Sequence, residues 1–237
     1  MSKAIEVFQT LEKGIKQINK AADIYTLHIV AKLRGKEPDE KLIEEILNKE
    51  NFISVFNIID MVYKKEEFQI FEDKEYVTAI GQQILLATYT ALEVYLINKF
   101  EEYYRYILRD KDADFVGNTI KRFSFRSLKE ITKHYKEILK IYLQHFDIEI
   151  YSQTKSTFQP EDSWDALNII SRARNEIAHK GKSESYKILT LMDSWHPFDF
   201  VSEWVRRFDF NFNAYIYENR EYKLIKEYKE RLSKIKS

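Results

Sequence analysis

Glycine and proline punctuate most folds, and this chain has five of one and three of the other in 237 residues. Sandwiches and barrels turn roughly every ten residues, and Gly and Pro build most of those turns. An all-β fold is therefore nearly excluded, and long helices with few connections become the default. The length suits one large domain or two small ones, with enough chain to bury a core without disulfides or structural metal. A hydrophobic fraction of 44% beside 32% charged residues is a folded composition, not a disordered one.

There is no cysteine, which removes a disulfide framework, a Cys zinc site, an iron–sulfur cluster and a thiol nucleophile. That usage suits a reducing cytoplasm. The 38 basic and 38 acidic side chains cancel, so no global charge argues for nucleic acid. The first ten residues lack an apolar signal core. The most apolar stretch, Ile80 to Ile97, carries Gln82, Gln83, Thr88, Thr90 and Glu93, and reads as a buried helix rather than a membrane span.

Apolar residues recur at helical spacing from Lys3 to Leu33, through Ile5, Phe8, Leu11, Ile15, Ile18, Tyr25, Leu27 and Val30. Gly35 and Pro38 break this run, and Asp39 is placed to cap a helix from Glu40. Asn51 can cap another, and a charged connector over 64–75 follows. A long helix runs from Tyr76 to Arg109 and is ended by Asp110–Gly117. A second spans Ser127 to Phe146. After an irregular stretch over 147–160, in which Ile148, Ile150 and Tyr151 can be extended, Ser163 opens a third helix, closed by Gly181. A short helix fits Ser185 to Trp195, and Pro197 starts a final helical region. There Phe208, Phe210 and Phe212 alternate like a strand, but Val201, Val205, Phe208, Phe212 and Tyr215 keep helical spacing, and the Lys/Glu-rich tail favours helix. The fold class is all-α: a helical bundle over 76–237 with additional N-terminal helices over 1–75, across a soft boundary.

One segment carries chemistry: Ser171-Arg172-Ala173-Arg174-Asn175-Glu176-Ile177-Ala178-His179-Lys180-Gly181. Asn175 and His179 share a helical face, with Arg174 beside it. An Arg supplies a fixed cation and a donor fork for a phosphate. A His exchanges protons near neutral pH. Asn can orient either. RNA needs no metal for cleavage by this set, because its own 2′-OH is the nucleophile. The plain alternative is that His179 meets the helix dipole and Arg174 pairs with an acidic neighbour. Glu93 is a carboxylate on an apolar helix, costly unless partnered, and Arg174 or Arg172 can supply the partner. Glu176 and His179 also form Glu-x-x-His, the ligand unit of di-iron bundles, but a second unit is missing: Ile131, Tyr142 and Tyr25 precede His134, His145 and His28 at that spacing. Glu130 and His134 read as a solvated helix pair. There is no phosphate loop, dinucleotide fingerprint or nucleophile elbow.

Arg174-Asn175-x-x-x-His179, late on a helix and ending in Ile177-Ala178-His179-Lys180-Gly181, resembles the Arg-x(4–6)-His signature of the HEPN superfamily. The small-residue helix from Leu85 to Leu96, with Glu93 inside it, is similar to the first core helix of such domains. The resemblance covers about Tyr76 to Trp195. It implies a HEPN-like bundle that forms a homodimer, with the Arg/His motifs of two protomers facing one cleft. It implies a metal-independent endoribonuclease acting on RNA without a cofactor, as a toxin or phage-defence effector, with an antitoxin or nucleotidyltransferase-type partner. Arg174 would bind the scissile phosphate, His179 would act as acid or base, and Asn175 would support both, with Glu93 and Lys180 assisting. Lys180, Arg172 and Lys182 would make the cleft locally basic on a neutral protein. Some members of the superfamily are instead non-catalytic interaction or nucleotide-binding modules.

Overall fold

The computed structural model describes residues 2–33, 35–48, 75–109, 111–146, 163–188 and 196–216. The readings made above for Asn51, the 64–74 connector, 147–162, 189–195 and the tail beyond 216 lie outside these residues. All regular structure among the described residues is helical, with no strand among them. The elements are α1 (Lys3–Leu33), α2 (Glu40–Asn48), α3 (Glu75–Ile107), α4 (Ala113–Ile120), α5 (Leu128–His134), α6 (Ser163–Lys180) and α7 (196–216).

Helix α3 is the central element. Ile84, Leu85, Leu92, Tyr95, Leu96 and Phe100 are fully buried along it. By length and composition the stretch Thr78–Ile107 could cross a membrane, but half of its most apolar window lies inside this fold. Helix α1 runs antiparallel beside it. The Ala4 amide donates to Glu102 Oε1 at 2.7 Å, and Phe8 meets Tyr95 edge-on at 5.9 Å. Glu102 thus satisfies an orphan amide at the positive end of α1 from another helix. The apolar face of α1 enters the same core as α3, α6 and α7.

Helix α7 settles the alternating phenylalanines. Phe208 and Phe212 are fully buried, whereas Phe210 is 74% exposed, as a 3.6-residue period requires. Phe208 stacks on Trp204 at 4.8 Å. A polar cluster pins α7 to α3. Lys99 Nζ donates to Asp209 Oδ1 at 2.7 Å and to Asn213 Oδ1 at 2.8 Å, and the Tyr95 hydroxyl donates to the same Asp209 oxygen at 3.0 Å.

Three readings need correction. The helix set from Ser127 to Phe146 is broken. Ser127 caps α5 by accepting from the Glu130 amide, and after His134 the chain widens into a π turn over Tyr135–Leu139. Lys140 then takes a left-handed φ of 60° and ends it, and a short 3-10 turn follows at Leu143–His145. The buried Tyr135 hydroxyl, at the start of the widened turn, donates to Leu96 O at 2.7 Å and anchors it on α3. Second, Asp110–Gly117 is not simply a break, since Asp112 accepts from the Asp114 and Phe115 amides and starts α4. Third, 185–188 is not helical. Glu130 and His134 are also more than a solvated pair. Glu130 accepts from the Arg126 amide and Ser124 Oγ, while His134 Nε2 meets Ser124 O at 2.7 Å and its ring lies 5.1 Å from Phe125.

Two of the polar side chains that α1 buries, Asn19 and Asp23, stand one turn apart. Asn19 is 1% and Asp23 3% exposed, and neither Asn19 Nδ2 nor Asp23 Oδ2 has a hydrogen-bond partner among the described residues. Burial pushes the Asp23 carboxyl up from 3.8 to about 7. The folded chain therefore keeps this proton at pH values where the unfolded chain has lost it. The associated stability is fully present below the unfolded value and is lost as pH rises to the folded one, about 4 kcal/mol in all. Between pH 5 and pH 8, urea unfolding is expected to show a loss about 2–3 kcal/mol larger in the wild-type chain than in Asp23→Asn, which keeps the smaller loss due to Asp199, raised by burial to about 6. Equal pH dependence in both chains would contradict this.

Candidate functional site

Helix α6 is laid against α3 by Ala166, Leu167, Ile170, Ala173 and Ile177. Their 3/4 spacing turns Asn175 and His179 to the opposite side, where both are exposed, and leaves Arg174 half-buried on the flank. Gly181 ends the helix with a φ of 71°, and its amide donates to Ile177 O at 2.9 Å. Glycine reaches that left-handed region without a Cβ penalty.

Arg174 meets α3 through Tyr89. Its guanidinium carbon lies 5.5 Å from the centre of the Tyr89 ring, and its Nη1 donates to Asn175 Oδ1 at 2.9 Å. The guanidinium is thereby held on one side by an aromatic face and on the other by an amide oxygen. The Tyr89 hydroxyl is itself fixed. It accepts from Ser171 Oγ at 3.0 Å and from the Leu128 amide at 3.3 Å. Burial, with the neighbouring Glu93 charge adding to it, pushes this phenol up to about 12, so it stays a neutral donor.

Glu93 lies one turn beyond Tyr89. Burial raises its carboxyl above the ordinary range, while a hydrogen bond from Tyr89 and the charge of Arg174 pull it partly back. Arg174, rather than the exposed Arg172, is the cation that acts on it. The structure thus brings Glu93, Arg174 and Asn175 together around Tyr89. Sequence reasoning assigned no role to Tyr89 or Ser171, and the available signal was a hydroxyl one turn before a carboxylate on an apolar helix.

His179 and Lys180 are exposed on the last turn of α6, and their side chains have no hydrogen-bond partner among the described residues. Along an ideal helix, five residues separate Arg174 from His179 by about 7.5 Å of rise and roughly 140° of rotation. Within one chain the two side chains therefore leave the helix in different directions, with Asn175 between them.

Glu176 has a different task from the one its spacing suggests. Its carboxylate accepts from Ser183 Oγ at 2.8 Å, Ser185 Oγ at 2.7 Å, and the amides of Glu184 and Ser185 at 2.8 and 2.9 Å. Those donors, the Ser185 amide foremost, hold its carboxyl down at about 2. Among the described residues no three His, Asp or Glu side chains gather as a ligand set. Glu176 folds the segment after Gly181 back onto the end of α6. Glu176→Ala is expected to speed hydrogen exchange at the Glu184 and Ser185 amides while leaving the α3 amides slow. Unchanged protection at both amides would contradict the clamp.

Comparison with protein-family models, curated proteins and solved structures gives no match for this chain.

Proposed function

We propose that this chain is a metal-independent endoribonuclease of the HEPN type that works as a homodimer in the cytoplasm. The observation that carries the reading is the arrangement on α6: a guanidinium held between Tyr89 and Asn175, with an exposed His179 on the same helix. A held guanidinium suits the developing charge on a phosphate, because it needs no reorganisation when that charge appears. An exposed imidazole suits proton exchange with a ribose hydroxyl.

In this reaction the 2′-OH attacks the adjacent phosphorus, and one imidazole takes its proton. The bond to the 5′-oxygen breaks, and that oxygen receives a proton from a second imidazole. The products are a 2′,3′-cyclic phosphate and a 5′-hydroxyl. One chain supplies one His179, directed away from its own Arg174, so two copies of α6 are needed to supply base, acid and phosphate anchor together. Arg172, Arg174, Lys180, Lys182 and Lys187 lie within one stretch against two carboxylates, Glu184 and Glu176, and Glu176 is occupied by serine and amide donors. A neutral chain therefore carries a locally basic end. A toxin or defence effector, released from an antitoxin or nucleotidyltransferase-type partner, fits such an activity.

The alternative is a non-catalytic interaction module. It is favoured by the fact that Tyr89, Asn175 and Glu93 would account for Arg174 in purely structural terms. Incubation of the purified chain with single-stranded RNA in EDTA separates the two. Cleavage that disappears in folded Arg174→Ala and His179→Ala supports the nuclease. A monomeric chain that cuts no RNA supports the module.

A further inference from the structure

A cleft opens where α6 ends, beside the candidate site. Its volume is about 240 Å³; Thr78 and Gln82 of α3 and the 182–187 segment line it over an apolar floor of Ile177 and Ile188, with the Glu184 carboxylate standing between Lys182 and Lys187. Both isoleucines are 6% exposed, so the floor belongs to the packed core. The outer wall is the 183–186 segment, which Glu176 ties down with four hydrogen bonds. The cleft is therefore shaped by the core on one side and by a clamped loop on the other.

Its size is just below that of pockets for drug-sized ligands, so it takes one compact planar group. Its chemistry is mixed in a particular way. The Gln82 amide offers a donor and an acceptor together, which suits the edge of a base. Tyr186 offers an aromatic wall of the kind on which unpaired bases stack. Lys182 and Lys187 are exposed cations at the rim and outnumber the one exposed carboxylate there, Glu184, so the rim keeps a net positive charge where a phosphate would sit. Lys182 lies three residues after His179, across the end of α6. A short stretch of single strand passing over that end reaches from one to the other.

We infer that this cleft receives one unpaired nucleotide of the RNA strand, flanking the phosphodiester that Arg174 engages. The choice of a nucleotide as occupant rests on the ribonuclease reading of the adjacent residues. Specificity for an unpaired residue follows, since a base in a duplex cannot enter a pocket of this size without leaving its stack.

The test is binding of a fluorescent 2′-O-methyl RNA oligonucleotide to the full chain, read by anisotropy. That probe cannot be cut through its 2′-oxygens, so binding is measured apart from cleavage. Thr78→Phe fills the cleft, and Lys182→Ala with Lys187→Ala removes the rim charges from exposed positions that do not build the core. Each is expected to weaken binding about tenfold or more. Folding of every variant is checked by circular dichroism, and if Thr78→Phe does not fold, Gln82→Leu, which removes the donor and acceptor offered to the base edge without changing charge, decides. Binding that depends on the cleft, in a chain that cuts no unmodified RNA, upholds the nucleotide site and refutes the nuclease. His179-dependent cleavage with undiminished binding in the cleft variants upholds the nuclease and overturns the nucleotide site. Failure of the wild-type chain to bind the probe also overturns it.

Discussion

His179→Ala is expected to lower the rate of RNA cleavage by about 10²–10⁴, the range that a positioned acid or base contributes. Arg174→Ala is expected to lower it by about 10²–10³, comparable to removing one donor from a developing oxyanion. The two losses have different causes and different signatures. The His179 side chain is exposed and makes no hydrogen bond among the described residues, so its removal should leave stability unchanged within about 0.5 kcal/mol. Arg174 rests on Tyr89 and Asn175, so its removal also loosens the α3–α6 contact. Arg174→Lys separates charge from shape. It keeps a cation but loses the planar fork and the stack on Tyr89, so it should recover only part of the rate. Loss of activity through unfolding would instead appear in the melting curves of both alanine variants. Full recovery by lysine would mean that only net charge matters at this position.

The largest expected effect on stability is at Lys99. Its side chain is 3% exposed and donates to Asp209 and Asn213, while its ammonium sits 5.5 Å from the Phe212 ring centre. Lys99→Met leaves the Asp209 carboxylate, itself only 14% exposed, without its cation. Breaking a buried pair in this way costs about 3–5 kcal/mol. For a chain of this size that is a drop of roughly 6–20 °C in melting temperature. The double change Lys99→Met with Asp209→Asn removes both charges of this pair and should restore more than half of the loss, because the cost lies in a carboxylate left with hydrogen bonds but no cation rather than in the missing attraction. Urea unfolding of the two variants checks this. A single variant as stable as wild type would mean that water reaches Asp209. A double variant as unstable as the single one would place the cost in the packing against Phe212 instead.

Much of the architecture was legible because it depends on local pattern. The bounds of α1 follow from unbroken apolar spacing between Lys3 and Leu33, and α6 from Leu167, Ile170, Ala173 and Ile177 ahead of a glycine. Asp39 accepts from the Lys41 and Leu42 amides, and an Asx residue before a helical pattern announces that. The break at Lys140 was not legible. Nothing in Tyr135–Leu139 forbids a regular helix, and the widening belongs with a tyrosine anchored to a carbonyl 39 residues away. Helix α4 was hidden because Gly117 reads as a breaker, whereas the cap at Asp112 outweighs one glycine of about 1 kcal/mol.

The candidate site divides in the same way. Arg174, Asn175 and His179 stand in one helical turn and a half, so their shared helix could be read from spacing alone. The part played by Tyr89 comes from Ser171, 82 residues away, and from the Leu128 amide, 39 residues away. Such contacts leave no periodic trace. Glu176 was legible as a carboxylate near a histidine but not as a clamp, because its donors are serines beyond a helix-ending glycine. Charge shows the same limit. A sum of zero over the whole chain conceals the basic stretch from Arg172 to Lys187.

In the proposed reaction RNA is cut through its own 2′-hydroxyl, with Arg174 on the phosphate and His179 moving the proton. The most direct measurement is the chemistry of the ends left on RNA by the purified chain in EDTA, read by mass spectrometry. The account predicts a 2′,3′-cyclic phosphate and a 5′-hydroxyl, both absent with His179→Ala. A 3′-hydroxyl with a 5′-phosphate, or the same cyclic ends formed at full rate without His179, would contradict it.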